Sequence, residues 1–272
     1  MKKNYFLLVL LLQIAFSNIA FSQLRADKFP VFKDGETITY NAVYNWGFIW
    51  LNAGVVKFTV SETNYKNEKA FHFNSFGTSL KSYDWFFKVR DYFQSYADIN
   101  TLKPFFFERN TSEGGYTVHD RCIFNYNDSV VYTKIKKTDK PYTEDTIKLQ
   151  KNAFDLLSAV YYTRNIDFDK YEVNDKIPVR ILLDNEFFDL YIRYLGKEIL
   201  VTHDKRKFRT MKFSVKLIEG TIFKGNEDLY VWVTDDYNRI PILVDAKILI
   251  GSVKATLATT ENLKYPLSSE IK

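Results

Sequence analysis

The sequence predicts a mainly all-β fold: a large curved antiparallel sheet or partly closed barrel with one short central helix. Three observations predict it. Apolar and polar residues alternate with period two along most of the chain. Turn-forming clusters recur between the alternating runs, giving about a dozen strands spaced roughly 8–12 residues apart. A single segment near the middle switches to helical spacing.

The first strand places Ile38, Tyr40, Ala42, Tyr44 and Trp46 on one face and Thr37, Thr39, Asn41 and Asn45 on the other. A turn at Gly47 leads to Gly54, Val56, Phe58 and Val60, which oppose Lys57, Thr59 and Ser61. Phe71, Phe73 and Ser75 alternate with His72, Asn74 and Phe76. Tyr116, Val118, Cys122, Phe124 and Tyr126 share a phase against Thr117, His119, Arg121 and Asn125. Further on, Phe188, Leu190, Ile192 and Tyr194 oppose Asp189 and Arg193. Met211, Phe213, Val215 and Leu217 oppose Lys212, Ser214 and Lys216. One-sided strands of this kind belong to antiparallel sheets with one face on a core and one face wet. Lys33–Gly35, Ser112–Gly115, Asn125–Asp128, Lys224–Asn226 and Asp235–Asn238 supply the turns.

Asn152 to Arg164 carries Phe154, Leu157, Val160 and Tyr161 at helical spacing. Asn152 is placed to cap its start, and Arg164 near its end suits the helix dipole. No flexible linker separates the strand-rich halves on either side, so residues 23–272 read as a single β-rich domain.

Residues 1–22 read as a secretory signal peptide. Lys2 and Lys3 precede an apolar run from Tyr5 to Phe16, and Ala20-Phe21-Ser22 forms a small-x-small cleavage site ahead of Gln23. The apolar run is short for a membrane span, and no cysteine lies near the cut to accept a lipid anchor. The expected location is therefore the periplasm or cell envelope, without lipid anchoring and with no integral span after cleavage. Losing Lys2 and Lys3 lowers the net charge from +5 to +3. That modest, dispersed charge argues against a nucleic-acid partner. Cys122, the single cysteine, cannot form an intrachain disulfide, and its phase predicts burial.

Catalytic and metal signatures are sparse. His72, His119 and His203 lack metal-ligand spacing, so no metal or cofactor is expected. There is no GxSxG or SxxK motif and no glycine-rich phosphate loop. Asp235-Asp236 invites a carboxylate-dependent hydrolase, but adjacent strand residues face opposite ways, and the surrounding residues read as a hairpin turn. Asp155, Ser158 and Arg164 form a second constellation, read as structural: they hydrogen-bond the sheet and fix the helix on it. The reading leans away from an enzyme.

The chain holds 24 Phe, 19 Tyr and 4 Trp. If the apolar face of the sheet is the concave one, Tyr40, Tyr44, Trp46, Phe58, Phe71 and Phe73 line a surface for a lipid or other apolar ligand. The alternative is a structural or assembly factor binding an envelope protein or glycan. An outer-membrane barrel fits the alternation, but the central helix and the charges within several strands speak against it.

The chain resembles the exported bacterial family DUF3108. The resemblance rests on Gly35-Glu36 before the Tyr40 strand, Ala53-Gly54, and Asp91-Tyr-Phe-Gln-Ser95 followed by Leu102-Lys-Pro104. It rests further on Asp155–Arg164, Val231-Trp-Val-Thr-Asp-Asp236 with Arg239-Ile-Pro241, and Gly251 with Ala255–Leu257. It implies an envelope protein with a largely antiparallel β fold, and carries over no catalytic residue.

Overall fold

The computed structural model describes residues 29–46, 49–216, 229–247 and 252–272, with the side chains of residues 45, 46, 49 and 50 left aside. Residues 1–22, residue 47 with its expected turn, Leu217, the expected turn at 224–226 and Gly251 lie outside the described residues, as does the side chain of Trp46.

The first half is a meander of β1 (Thr37–Trp46), β2 (Ile49–Tyr65), β3 (Glu68–Ser79) and β4 (Val89–Asp98). It continues through β5 (Pro104–Glu113), β6 (Tyr116–Asn125), β7 (Val130–Lys137) and β8 (Lys140–Lys148). A two-residue strand, β9 (Ala153–Phe154), leads into helix α1 (Leu156–Arg164). The second meander comprises β10 (Lys176–Leu183), β11 (Glu186–Val201), β12 (Lys207–Val215), β13 (Leu229–Thr234), β14 (Pro241–Lys247) and β15 (Ser252–Glu261). A last short strand, β16 (Glu270–Ile271), pairs with β12.

All sixteen strands among the described residues form one sheet. Its order runs β8 to β1, then β15 to β9. The two meanders are thus joined side by side through the antiparallel β1–β15 pair, where Asn45 lies opposite Ser252 and Thr37 opposite Glu261. Every ladder among these is antiparallel except β9–β10. Register shifts in β1–β2, β1–β15, β4–β5 and β11–β12 mark bulges, which bend and twist the strands that carry them. The sheet curls, but among the described residues its outer strands do not close by backbone pairing.

Side chains bridge the gap instead. Asp184, in the β10–β11 turn, pairs with Lys137 at 3.0 Å and also with Arg109. Asn185 Nδ2 donates to Asp145 Oδ2 of β8 at 2.8 Å. Below them Leu182 packs with Phe107, Cys122, Phe124 and Val131. Cys122 is buried as its phase predicts. Asp120, on the same phase, is buried too and faces Arg109 at 3.4 Å.

The helix starts later than its spacing suggests. Asn152 does not cap it; Ala153 and Phe154 extend beside Arg180 and Ile181, and Asp155 takes the cap. The Asp155 carboxylate accepts from the backbone N–H groups of Leu157 and Ser158 at 2.8 and 2.9 Å. Ser158 Oγ in turn accepts from the Asp155 N–H at 3.1 Å, completing a reciprocal capping box. The strand pairing of residues 153–154 holds their backbone extended, so Asn152 is too early to serve.

Candidate functional site

Helix α1 sits between the two halves of the curled sheet and divides its interior. One face packs tightly. Tyr161 stacks on Phe73 with ring centroids 3.9 Å apart and meets Phe32 edge-on at 5.1 Å. Phe71, Val60, Ala97 and Leu157 complete this cluster. The helix also bounds a cavity of about 450 Å³, to which it contributes Ala159, Val160, Tyr161, Thr163 and Arg164. That volume lies within the roughly 300–1,000 Å³ range of small-molecule sites.

The cavity wall is overwhelmingly aliphatic and aromatic. Ala159 and Val160 of α1, Val179 and Ile181 of β10, Val231 of β13, and Tyr40 and Phe58 of β1 and β2 all line it. Val160 lines this space and is 40% accessible. Phe58 meets Tyr40 edge-on, their centroids 5.8 Å apart. Burial pushes the Tyr40 hydroxyl well above the usual phenol range, the nearby Arg164 working against it, so the group stays neutral.

Polar groups gather at one edge of this space. Arg164 and Arg239 both border it. Arg164 forms a bidentate pair with Glu36, Nη1–Oε1 at 2.6 Å and Nη2–Oε2 at 3.0 Å, and both side chains are almost wholly enclosed. Arg164 also donates to the Asn238 carbonyl at 3.2 and 3.0 Å. Burial opposes the Arg164 charge, but Glu36 outweighs it and holds the guanidinium pKa above its ordinary value. Arg239 lies 3.8 Å from Asp235 and places its guanidinium over Phe168.

The six aromatics proposed as ligand contacts divide. Tyr40 and Phe58 line the cavity. Phe71 and Phe73 pack against Phe32 and Tyr161 in a buried cluster and do not border this cavity. Tyr44 is partly buried and does not border the cavity. The wall contributed by β10–β15 was missed. Its residues alternate as β strands should, but Tyr191 and Phe213 apart they are mostly aliphatic, and only the position of the helix shows which half of the sheet is left uncovered.

The helix constellation anchors the fold. Asp155 accepts from Ser95 of β4 at 2.7 Å and from Ser158 at 2.8 Å. Burial pushes its carboxyl up to about 6, with the hydrogen bonds from Ser95, Ser158 and Leu157 holding it from going higher. Asp235 and Asp236 sit in the β13–β14 turn. Asp236 accepts from Thr234 and from the Asn238 and Ser269 backbone, while Asp235 pairs with Lys197 at 3.0 Å. Among the described residues no group of three His, Cys, Asp or Glu side chains is placed to hold a metal ion.

The sequence profile of DUF3108, described as a protein of unknown function, matches residues 37–258. The chain belongs to the DUF3108 family. That span includes β1, the helix and all but the end of β15, so the cavity wall is made by the family domain itself. No curated protein matches the sequence. Among solved structures, the DUF3108 chain is similar to a β-barrel-like protein of the domain of unknown function DUF1849 from Brucella abortus. The TM-score is 0.56 at 10% identity, covering 85% of this chain and 98% of that one. At that identity the likeness concerns the fold: a β-barrel-like sheet.

Proposed function

We propose that this protein is an exported, non-catalytic binding protein of the cell envelope that holds an apolar ligand, a lipid chain, inside its curled sheet. The cavity beside α1 carries the reading: about 450 Å³ of space walled by apolar side chains. Close packing is the rule in protein interiors, and a space of this size forgoes dispersion contacts that a filled core would make. An apolar guest restores them. The export expected from residues 1–22 sets the location of that guest in the envelope.

The test is native mass spectrometry of the protein purified from its own envelope, with lipid extraction of the same sample. Ala159→Phe and Ala255→Phe each extend a ring into the cavity from a wall residue. A stoichiometric apolar molecule on the parent protein, absent from both folded variants, is the expected result. A clean apo mass, unchanged after incubation with envelope lipids, overturns the proposal.

A further inference from the structure

The connection between β3 and β4 presents its largest side chains to water. Trp85 is 83% exposed, Phe86 78% and Phe87 50%. Three consecutive aromatics in this state are a marked departure from ordinary surfaces, where exposed large apolar residues are scattered singly.

The pedestal beneath them is firmly built. Residues Lys81–Tyr83 form a 3₁₀ turn, and the Phe86 and Phe87 N–H groups both donate to the Tyr83 carbonyl at 3.0 Å. Arg90 grips Asp84 through Nη2–Oδ2 at 2.6 Å and Nη1–Oδ1 at 3.1 Å. Ser79 also donates to Asp84 and accepts from the Val89 N–H at 3.0 Å. These hydrogen bonds hold the Asp84 carboxyl below the usual carboxylate range, so its charge is answered within the loop. Phe87 lies against Gly114 so closely that a Cβ there would stand 2.4 Å from its ring. Trp85 and Phe86, edge to face at 5.9 Å, stand beyond this support.

Charge completes the pattern. Lys81 and Lys88 flank the aromatic tip and are both exposed. With Arg90 and Asp84, the segment 80–90 carries three positive and one negative charge, a net of +2. An aromatic tip with basic flanks matches the interface of an anionic bilayer, where Trp sits at headgroup level and lysines meet lipid phosphates.

The position of the tip is also informative. Turns of a meander alternate between the two ends of a sheet. Ser79 is level with Gly54, and the neighbouring ladders place Trp50, Asn45, Ser252 and Lys247 at that end. The cavity residues Val215, Leu229, Val244 and Ala255 lie toward the same end of their strands.

We infer that the Trp85–Phe87 tip with Lys81 and Lys88 is a docking element for anionic phospholipid bilayers. The inference stands on the loop itself and does not require the cavity to hold a lipid.

The test uses the chain from Gln23, which carries every described element, in vesicle flotation. Phosphatidylglycerol-containing vesicles are compared with pure phosphatidylcholine, for the parent protein, Trp85→Ser/Phe86→Ser and Lys81→Gln/Lys88→Gln. Phe87 is kept because it packs on Gly114. The parent is expected to float with the anionic vesicles at low salt. The lysine pair of substitutions should weaken binding about 25-fold, the product of about fivefold for each charge near an anionic surface. The aromatic pair should lose at least 10-fold with an unchanged circular dichroism spectrum. Failure of the parent to bind, or equal binding by the aromatic variant, overturns the inference, and a protein partner for the tip then becomes the reading. Ligand loss measured by native mass spectrometry in the cavity variants reports separately on the cavity.

Discussion

Replacing Arg164 by Met should destabilise the protein by about 3–5 kcal/mol, the cost of breaking one side of a buried ion pair. The magnitude follows from what the substitution strands. Arg164 gives Glu36 two hydrogen bonds at 2.6 and 3.0 Å and the Asn238 carbonyl two more at 3.2 and 3.0 Å. The side chains are only 4% and 0% exposed, so water cannot take over. Met preserves most of the stem that packs beside Phe32 and Tyr161, each ring centroid 5.6 Å from the guanidinium carbon, and so isolates the polar loss. Against a total stability of about 5–15 kcal/mol this is a large fraction. Urea denaturation followed by far-ultraviolet circular dichroism reads it as a fall in midpoint at constant slope. Glu36→Gln combined with Arg164→Met should be more stable than Arg164→Met alone, because the stranded charge is gone. A loss under about 1 kcal/mol for Arg164→Met, or single losses that simply add in the double variant, would refute the reasoning.

Three further predictions rest on single features. Burial, then the neighbouring Glu113, push the Asp91 carboxyl from 3.8 up to about 7, and Asp155 shifts the same way. The native state therefore keeps protons that the unfolded chain has released, and this contribution to stability is lost as pH rises from about 4 to 7. Asp91→Asn should gain on the parent over that window, by about 1 kcal/mol after solvent screening of a half-buried site; parallel urea midpoints at pH 5 and 8 would refute it. At Gly54 an added Cβ would lie 2.4 Å from the Thr78 carbonyl oxygen, where backbone cannot yield cheaply. Gly54→Ala should cost about 1–3 kcal/mol, read as a lowered Tm. Burial, reinforced by Asp120, pushes the Cys122 thiol far up, so a thiol reagent should leave it untouched in native buffer at pH 8 and react fully in urea.

The strand pattern was legible because burial on one face imposes period two. Phe71, Phe73 and Ser75 are buried while Phe76 on the alternate phase is 48% exposed, as the alternation predicts. The helix was legible in place but not in its first turn, since Asn152 and Asp155 are chemically similar caps and only the β9–β10 pairing decides between them. Glu36 escaped notice as the partner of Arg164 because 128 residues separate them. Asp120 broke its own strand's pattern: a carboxylate on the inward phase is readable only once Arg109 is known to face it. Which aromatics border the cavity depended on the side of the sheet that α1 covers, a tertiary choice with no local signature.

The strand order has a consequence for the chain as it is made. β1 forms one ladder with β2, its immediate successor, but its other edge waits for residues 252–261. Throughout synthesis of everything between, the meander β1–β8 can assemble while β1 shows a bare row of peptide groups to any passing strand. The last large strand to emerge is the one that shields it. Truncation before β15 would therefore leave a folded first half with an adhesive flank, and aggregation rather than simple unfolding would be its signature.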